Sequence, residues 1–397
     1  MDLRQRLARL DRLTSRPLPA PAEASTADLG DLAAELGLRE EATAAGPCWV
    51  REWRETAPGP AGLLPDLRGL LSRHGERQPA REEILFVDTE TTGLAGGTGT
   101  LAFLVGVAWF EGDELVTRQL FLPGPGREGG LLCALGDWAA PFAVVVTYNG
   151  GAFDLPLLRT RALMNRRPDP LAHLLSWDLL PACRRLWGRT LPDCRQQTVE
   201  ADVCGLVRGP GDIEGARIPE VWRGWLSGEP ADDLACVLRH NQRDVAGMAR
   251  ILALVVAEGL AAADGPGAGV ADWRSGWARA RIAERRRDDE AAAGWMCAAL
   301  GAGALAGAGP QLRPLCVDAV RLLKRRRLWN EVESVLQAAL ASGGGRWAHR
   351  EAAILYEHRL PRLAEALRHA TLAGDGPRAD RLRRRLEPDD VRGKEER

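Results

Sequence analysis

The amino-acid sequence predicts a mixed α/β layer domain in the middle of the chain and an all-α region of paired helices after it. Two patterns carry this expectation. Between Ile84 and Met164 short apolar runs alternate with segments of helical spacing, whereas beyond Trp273 helix-type spacing recurs with only short breaks. At 397 residues and 45% hydrophobic content, the chain has enough apolar side chains for more than one core.

Residues 1–82 read as a partly helical lead-in, opening with an amphipathic stretch (Leu3, Leu7, Leu10, Leu13), passing Pro17 to Pro21, and showing helical patches near Leu29 to Leu38 and Leu63 to Leu71. The α/β domain is expected over 83–258. Ile84-Leu85-Phe86-Val87 is a buried strand, and the runs Leu101 to Phe110 and Leu115 to Leu122 flank Glu111-Gly112-Asp113, a hairpin signal. Leu131 to Ala140 has helical spacing, Ala143 to Thr147 is another buried strand, and Leu155 to Met164 is a helix. From Asp178 to about Leu260 the pattern is helical, broken at Gly209-Pro210-Gly211 and Gly228-Glu229-Pro230. Residues 259–272, with Asp264-Gly265-Pro266-Gly267, read as a linker, 273–390 as the helical region, and 391–397 as a charged tail. Within the helical region the runs are Trp277 to Leu305, Pro314 to Leu328, Trp329 to Ala341, Ala348 to His358 and Leu360 to Leu372. Helices of this length in pairs suggest a small repeat array whose period is too degenerate to assign.

The opening Met1-Asp2-Leu3-Arg4-Gln5-Arg6-Leu7 is charged throughout and has no signal-peptide run, and no later stretch is expected to supply the roughly 20 apolar residues of a membrane span. Eight scattered cysteines include no Cys-x-x-Cys pair, so reduced thiols and a cytoplasmic protein are expected. The formal net charge of −1 conceals a split: residues 273–397 carry 25 Lys/Arg against 17 Asp/Glu. That surplus is compatible with a phosphate-binding surface, but the almost exclusive use of arginine also suits a GC-rich genome.

Chemistry concentrates in three places. Asp88-Thr89-Glu90 directly follows the strand Ile84 to Val87; residues two apart on a strand share a face, so both carboxylates can meet one hard cation. A plain alternative is strand-exit turn chemistry with Asp88 as a cap. After the strand Ala143 to Thr147 comes Tyr148-Asn149-Gly150-Gly151-Ala152-Phe153-Asp154, a tight turn that sets an acid at the start of an apolar helix. That acid either caps the helix or faces the same cleft. In Arg239-His240-Asn241-Gln242-Arg243-Asp244, His240 and Asp244 share one helical face, either as a surface ion pair or as site residues on a half-buried helix. Taken together, Asp88, Glu90, Asp154 and Asp244 are the acids that a two-metal phosphodiesterase centre requires, holding two Mg²⁺ or Mn²⁺ ions about 3.5–4 Å apart. An imidazole titrates near neutral pH, so His240 suits removal of the proton from an attacking water.

These motifs, Asp88-Thr89-Glu90, Asn149-x-x-x-Phe153-Asp154 and His240-x-x-x-Asp244, resemble the three motifs of the DEDD superfamily of 3′–5′ exonucleases, whose fold is ribonuclease H-like. Further landmarks resemble the YprB-type ribonuclease H-like proteins of bacteria: Gly96-Gly97-Thr98-Gly99-Thr100, Trp177-Asp178-Leu179-Leu180, Arg184-Arg185-Leu186-Trp187, Asp212-Ile213-x-Gly215-x-x-Ile218-Pro219 and His240-Asn241-x-x-Asp244-Val245. The likeness covers roughly residues 83 to 257. It implies a ribonuclease H-like mixed sheet flanked by helices, and it implies that Thr89, Thr91, Leu94, Asn149 and Phe153 contact substrate. In that family the C-terminal extension often resembles tetratricopeptide repeats, matching Tyr356-Glu357-His358-Arg359 and Ala364-Glu365-Ala366-Leu367. One DEDD subgroup has Tyr four residues before the last Asp and another His five before it; here His stands at the tyrosine spacing. His240 is therefore expected either to deprotonate the water or to orient it.

Asp178 reads as a supporting acid, and Gly96, Gly97 and Gly99 are not a P-loop because no Gly-Lys-Ser/Thr follows. Trp109, Trp138, Trp177, Trp187, Trp222 and Trp225 suit base stacking in kind but are individually expected in the core. The leading expectation is a two-metal 3′–5′ exonuclease on single-stranded DNA or RNA, its helical region binding a partner protein or guiding the strand. The alternatives are a structure-specific endonuclease on the same fold and a non-catalytic nucleic-acid- or protein-binding scaffold.

Overall fold

In the structure, a computed structural model, residues 33–58, 79–93, 99–209, 211–230, 232–266, 270 and 272–386 are described. Seven strands make one mixed sheet: β1 (Arg39–Thr43), β2 (Gly46–Thr56), β3 (Ile84–Thr91), β4 (Ala102–Glu111), β5 (Glu114–Phe121), β6 (Val144–Thr147) and β7 (Leu175–Asp178), in the order β1-β2-β5-β4-β3-β6-β7. β3 pairs antiparallel with β4 on one side and parallel with β6 on the other. Its apolar half explains that position, because Ile84, Leu85, Phe86 and Val87 are 0–1% exposed and a strand covered on both faces must be apolar throughout.

Besides a helical turn at 33–36, the described residues up to Asp264 form the helices α1 (Glu128–Ala139), α2 (Asp154–Met164), α3 (Leu179–Leu186), α4 (Gln196–Asp202), α5 (Ile218–Leu226) and α6 (Asp232–Asp264). The core cluster takes side chains from β2 to β6, α1, α2 and α5, and from the first turns of α6. Phe103 of β4 stacks on Trp222 of α5 with ring centroids 5.2 Å apart. Trp109, Trp177, Trp187 and Trp222 are all buried, and Trp138 and Trp225 pack against the core, so these six tryptophans serve packing.

Two boundaries differ from the linear reading. β1 and β2 lie inside the stretch expected as a partly helical lead-in, and β2 pairs with β5 along eight residues, from Trp49↔Phe121 to Thr56↔Glu114. The charged pairs Arg51-Glu52 and Arg54-Glu55 break the apolar alternation of β2, which masks a strand whose buried face is supplied only when β5 lies beside it. The amphipathic stretch Leu3 to Leu13 and the patch at Leu63 to Leu71 fall outside the described residues; of the patch near Leu29 to Leu38, residues 33–36 are helical, and Ala33, Leu36 and Leu38 are buried. At the other end α6 continues through the expected linker start to Asp264, because the spacing of Leu252, Val255, Val256 and Ala262 persists until Gly265. By length and composition α6 is also apolar enough to cross a membrane, contrary to the sequence expectation; 67% of its apolar window is buried within the protein, and packing accounts for that composition.

Among the described residues, the chain divides into two compact units: residues up to Pro181 with Arg195–Leu254, and Ala182–Cys194 with the residues from Val255 onward. The second unit contains α7 (Trp273–Arg285), α8 (Asp289–Leu305), α9 (Arg313–Arg325), α10 (Trp329–Ala341), α11 (Gly345–His358), α12 (Leu363–Ala373) and α13 (Gly376–Leu386), each packed on its successor around a core of its own. The run Trp277 to Leu305 is interrupted at Arg286 to Asp288, where the Asp288 side chain accepts from Ala291 N at 2.9 Å and starts a new helix. All eight cysteines are free thiols.

Candidate metal centre

β3 outruns its parallel neighbour. Its last pair with β6 is Phe86↔Val146, so Asp88 and Glu90 project beyond the carboxyl end of β6, where open α/β sheets form their clefts. On the antiparallel side Asp88 faces Gly106 of β4, which in turn faces Gln119 of β5.

That row of three is filled from above by α6. Asn241, fully buried, donates from Nδ2 to Asp88 Oδ2 at 2.8 Å, and its Oδ1 accepts from Gln119 Nε2 at 2.8 Å. Gln119 Nε2 also reaches Leu238 O at 2.8 Å. A Cβ on Gly106 would lie 2.2 Å from Asn241 Oδ1, so only glycine leaves room for this amide. In the sequence Asn241 is a landmark residue without an evident role, and Gly106 and Gln119 carry no signal, since no local pattern marks residues that meet only across strands.

Asp154 is the first residue of α2. No side chain caps this helix; instead the Thr89 hydroxyl donates to Asp154 Oδ1. The turn before it is tight. A Cβ on Gly150 would sit 2.6 Å from Thr147 Cβ and 2.8 Å from Asp154 Oδ2, and Asn149 adopts a left-handed φ of 66°. Asp178, at the end of β7, secures the turn by accepting from Asn149 N at 2.8 Å and Leu180 N at 3.0 Å, which fits the supporting role expected of it.

His240 and Asp244 do share a face of α6: Nε2 lies 3.3 Å from Asp244 Oδ2. The opposite ring nitrogen, Nδ1, is 2.9 Å from Asp212 Oδ1. Neither Asp212, the first residue of the Asp212-Ile213-x-Gly215 landmark, nor Arg208 is marked by its local sequence. The Arg208 guanidinium contacts Asp244 Oδ1, and lies 2.8 Å from Glu200 Oε2 and 3.2 Å from Asp212 Oδ2. It is the internal counter-charge for three acids.

One atom from each of Glu90, His240 and Asp244 lies within 4.8 Å of the others, a spacing suited to a shared cation. Asp88 and Asp154 lie outside that trio yet act on it through charge. Burial, then the charges of Asp244 and Asp154, push the Asp88 carboxyl well above its usual range against the bond from Asn241. Burial, then Asp88, Asp244 and Asp154, do the same to Glu90. Asp154 is pushed up to about 6 by burial, opposed by the Thr89 hydroxyl. Burial alone would lower the Arg208 pKa, but Asp244 and Glu200 reverse the sign and raise it. Acids that resist ionising together form the donor set a hard divalent cation relieves, so the residues fit such an ion.

Of the residues for which the resemblance implied substrate contact, Thr89 donates to Asp154 and Thr91 to Gly93 O at 3.0 Å. Asn149 is exposed and Phe153 half-buried, both on the turn before α2. Leu94 lies outside the described residues, as do Gly96 and Gly97.

A mixed sheet with acids gathered at the exit of its central strand defines a ribonuclease H-like domain, and residues 85–256 match the model of the RNase H superfamily. Members of that superfamily are usually nucleic-acid hydrolases that use divalent metals. The chain is 36% identical over 166 residues to the uncharacterized protein YprB of Bacillus subtilis (strain 168), a match covering 42% of this chain and 40% of that relative's length. A solved structure, the family B DNA polymerase of the hyperthermophilic archaeon Pyrobaculum calidifontis, aligns with 60% of this chain and 34% of its own at 16% identity and a TM-score of 0.36.

Proposed function

We propose that the α/β domain is a metal-dependent 3′–5′ exonuclease hydrolysing phosphodiester bonds of single-stranded DNA or RNA. The observation that supports this best is the convergence of Asp88, Glu90, Asp154 and Asp244 in one half-buried electrostatic group beside a histidine gripped by Asp212. In this reading Asp88, Glu90, Asp154 and Asp244 hold two Mg²⁺ or Mn²⁺ ions. When bound, the ions supply the charge that stabilises an attacking water and a departing 3′-oxygen.

The remaining work falls to the chain itself. Asn241 fixes one oxygen of Asp88, leaving the other free to ligate. Thr89 turns Asp154 into the cleft and away from the cap of α2. With Nδ1–H donated to Asp212, His240 presents Nε2 as an acceptor at the Asp244 edge, where it orients the attacking water or takes its proton. Arg208 neutralises Asp244 in the absence of cations.

End-labelled single-stranded DNA and RNA incubated with Mg²⁺ or Mn²⁺ should shorten stepwise from the 3′ end, and Asp88→Ala or Asp244→Ala should abolish this while the circular dichroism spectrum is retained. Internal cuts would replace the exonuclease by an endonuclease. No degradation of either polymer would reduce the domain to a binding scaffold. Retained cutting by His240→Tyr assigns His240 to orienting water, and its loss assigns proton transfer. For the helical unit we propose a tetratricopeptide-like surface that binds a partner protein or guides the strand.

A further inference from the structure

Helix α6 carries a second row of functional groups. Arg239, Arg243 and Arg250 are four and seven residues apart, so they form one stripe turned about 100° from His240 and Asp244. Between Arg243 and Arg250 the helix presents Ala246, too small to fill the space above, while Gly247 is closed over by the Glu200 carboxylate. With the loop carrying Arg208 and with Glu55 of β2, they enclose a cavity of about 340 Å³. Gln242 adds an amide to the same wall.

The charges there are incompletely answered. Arg250 is 3.1 Å from Glu55, and Arg208 is held by its three acids. Arg239, however, donates to Cys236 Sγ at 3.0 Å, a weak acceptor, and its charge together with burial lowers the pKa of Arg51. Arg243 Nη1 lies 3.5 Å from Asp212 Oδ1 and completes no hydrogen bond, while the side chain as a whole stays 40% exposed and lines the cavity. A guanidinium fork beside open space is suited to phosphate oxygens, which it meets in bidentate fashion. Arg208 forms the wall between this cavity and Asp244, so an anion seated here is a neighbour of the acidic centre.

We propose that this arginine-lined cavity is a subsite for the backbone phosphates of the single strand being cut, binding phosphodiesters away from the scissile one. The proposal rests on the nuclease reading and gives its substrate a path. Phosphate contacts by Arg239 and Arg243 carry no base preference, so the subsite positions the strand and leaves its sequence unread.

The test is equilibrium binding of a fluorescent single-stranded oligonucleotide to the full chain in EDTA, where no cleavage occurs, over a series of salt concentrations. The double variant Arg239→Ser/Arg243→Ser should bind about tenfold more weakly near physiological salt, with the slope of log affinity against log salt falling by roughly 0.7 for each phosphate lost. Arg383→Ser, on an exposed arginine paired with Asp380, should change neither quantity. Arg239→Glu alone, which leaves the Arg243–Asp212 contact in place, provides a second variant should the double one unfold; it should weaken binding at least as much. Native affinity and slope in these variants would overturn the subsite while leaving the nuclease reading intact. No binding by the native protein would overturn both.

Discussion

Asp88 is held from outside its own strand, and that is why a glycine matters. Asn241 reaches Asp88 only because Gly106 has no side chain, and a methyl group there would meet the Asn241 amide at 2.2 Å. Gly106→Ala should therefore weaken Mn²⁺ binding, measured by calorimetry, by about 10–100-fold, the usual consequence of losing a group that orients a ligand. Unchanged affinity would mean that Asn241 serves packing alone. Asp212 poses the matching question for His240. Asp212→Asn keeps the shape but offers an amide where the ring nitrogen needs an acceptor, so cleavage in a single turnover should fall by about 100-fold with metal affinity nearly unaltered. Asp88, Glu90, Asp154, His240 and Asp244 were all legible because strand and helix periodicity announce shared faces. Gln119, Gly106 and Arg208 were not, because their meaning lies in partners far along the chain: Asp244 for Arg208, 36 residues on, and Asn241 for Gln119, 122 residues on, and for Gly106.

At the level of elements, the helical unit repeats in a way its sequence conceals. α7 and α9 begin at Trp273 and Arg313, forty residues apart, and α8 and α10 at Asp289 and Trp329, again forty. Both hairpins turn on the last arginine of a triplet, with Arg287 and Arg327 at φ of 62° and 60° in the left-handed region that usually calls for glycine. Without the expected glycine, the repeat leaves little trace in the residues. The next pair, α11 and α12, contains a titrating contact. His349 Nδ1 and His369 Nδ1 are 2.9 Å apart, a bond that requires at least one neutral ring. Burial, then the His349 charge, lowers the His369 pKa below its ordinary 6.5. Because the unfolded chain takes the proton more readily than the folded one, stability is complete above pH 6.5 and falls as the pH drops below it. Unfolding in urea at pH 7.5 and 5.5 should show this loss in the native chain and a smaller one in His369→Gln; equal losses would exclude the pair as the cause.

For the whole molecule, the acid cluster sets a conflict between folding and function. Asp154, with a pKa raised to about 6, favours the protonated folded form; the unfolded carboxyl ionises from about pH 4 upward, so its contribution erodes between those values and stays diminished above them. Burial of Asp88 and Glu90 acts in the same direction. A divalent cation that reconciles these charges should stabilise the protein, by about 2.7 kcal/mol when present at a hundred times its dissociation constant. Thermal unfolding at pH 7.5 with and without Mn²⁺ measures this, and the shift should vanish in Asp88→Ala. A native midpoint indifferent to Mn²⁺ would remove the metal reading. The sequence by itself determined the α/β-then-α order and the acids on β3, α2 and α6, because local periodicity and turn chemistry set which face a residue occupies. Only the tertiary structure decided that β1 and β2 extend the sheet and that Asn241, Asp212 and Arg208 serve the acids. Those outcomes depend on hydrogen bonds, charge and burial between segments far apart in the chain, which no local pattern records.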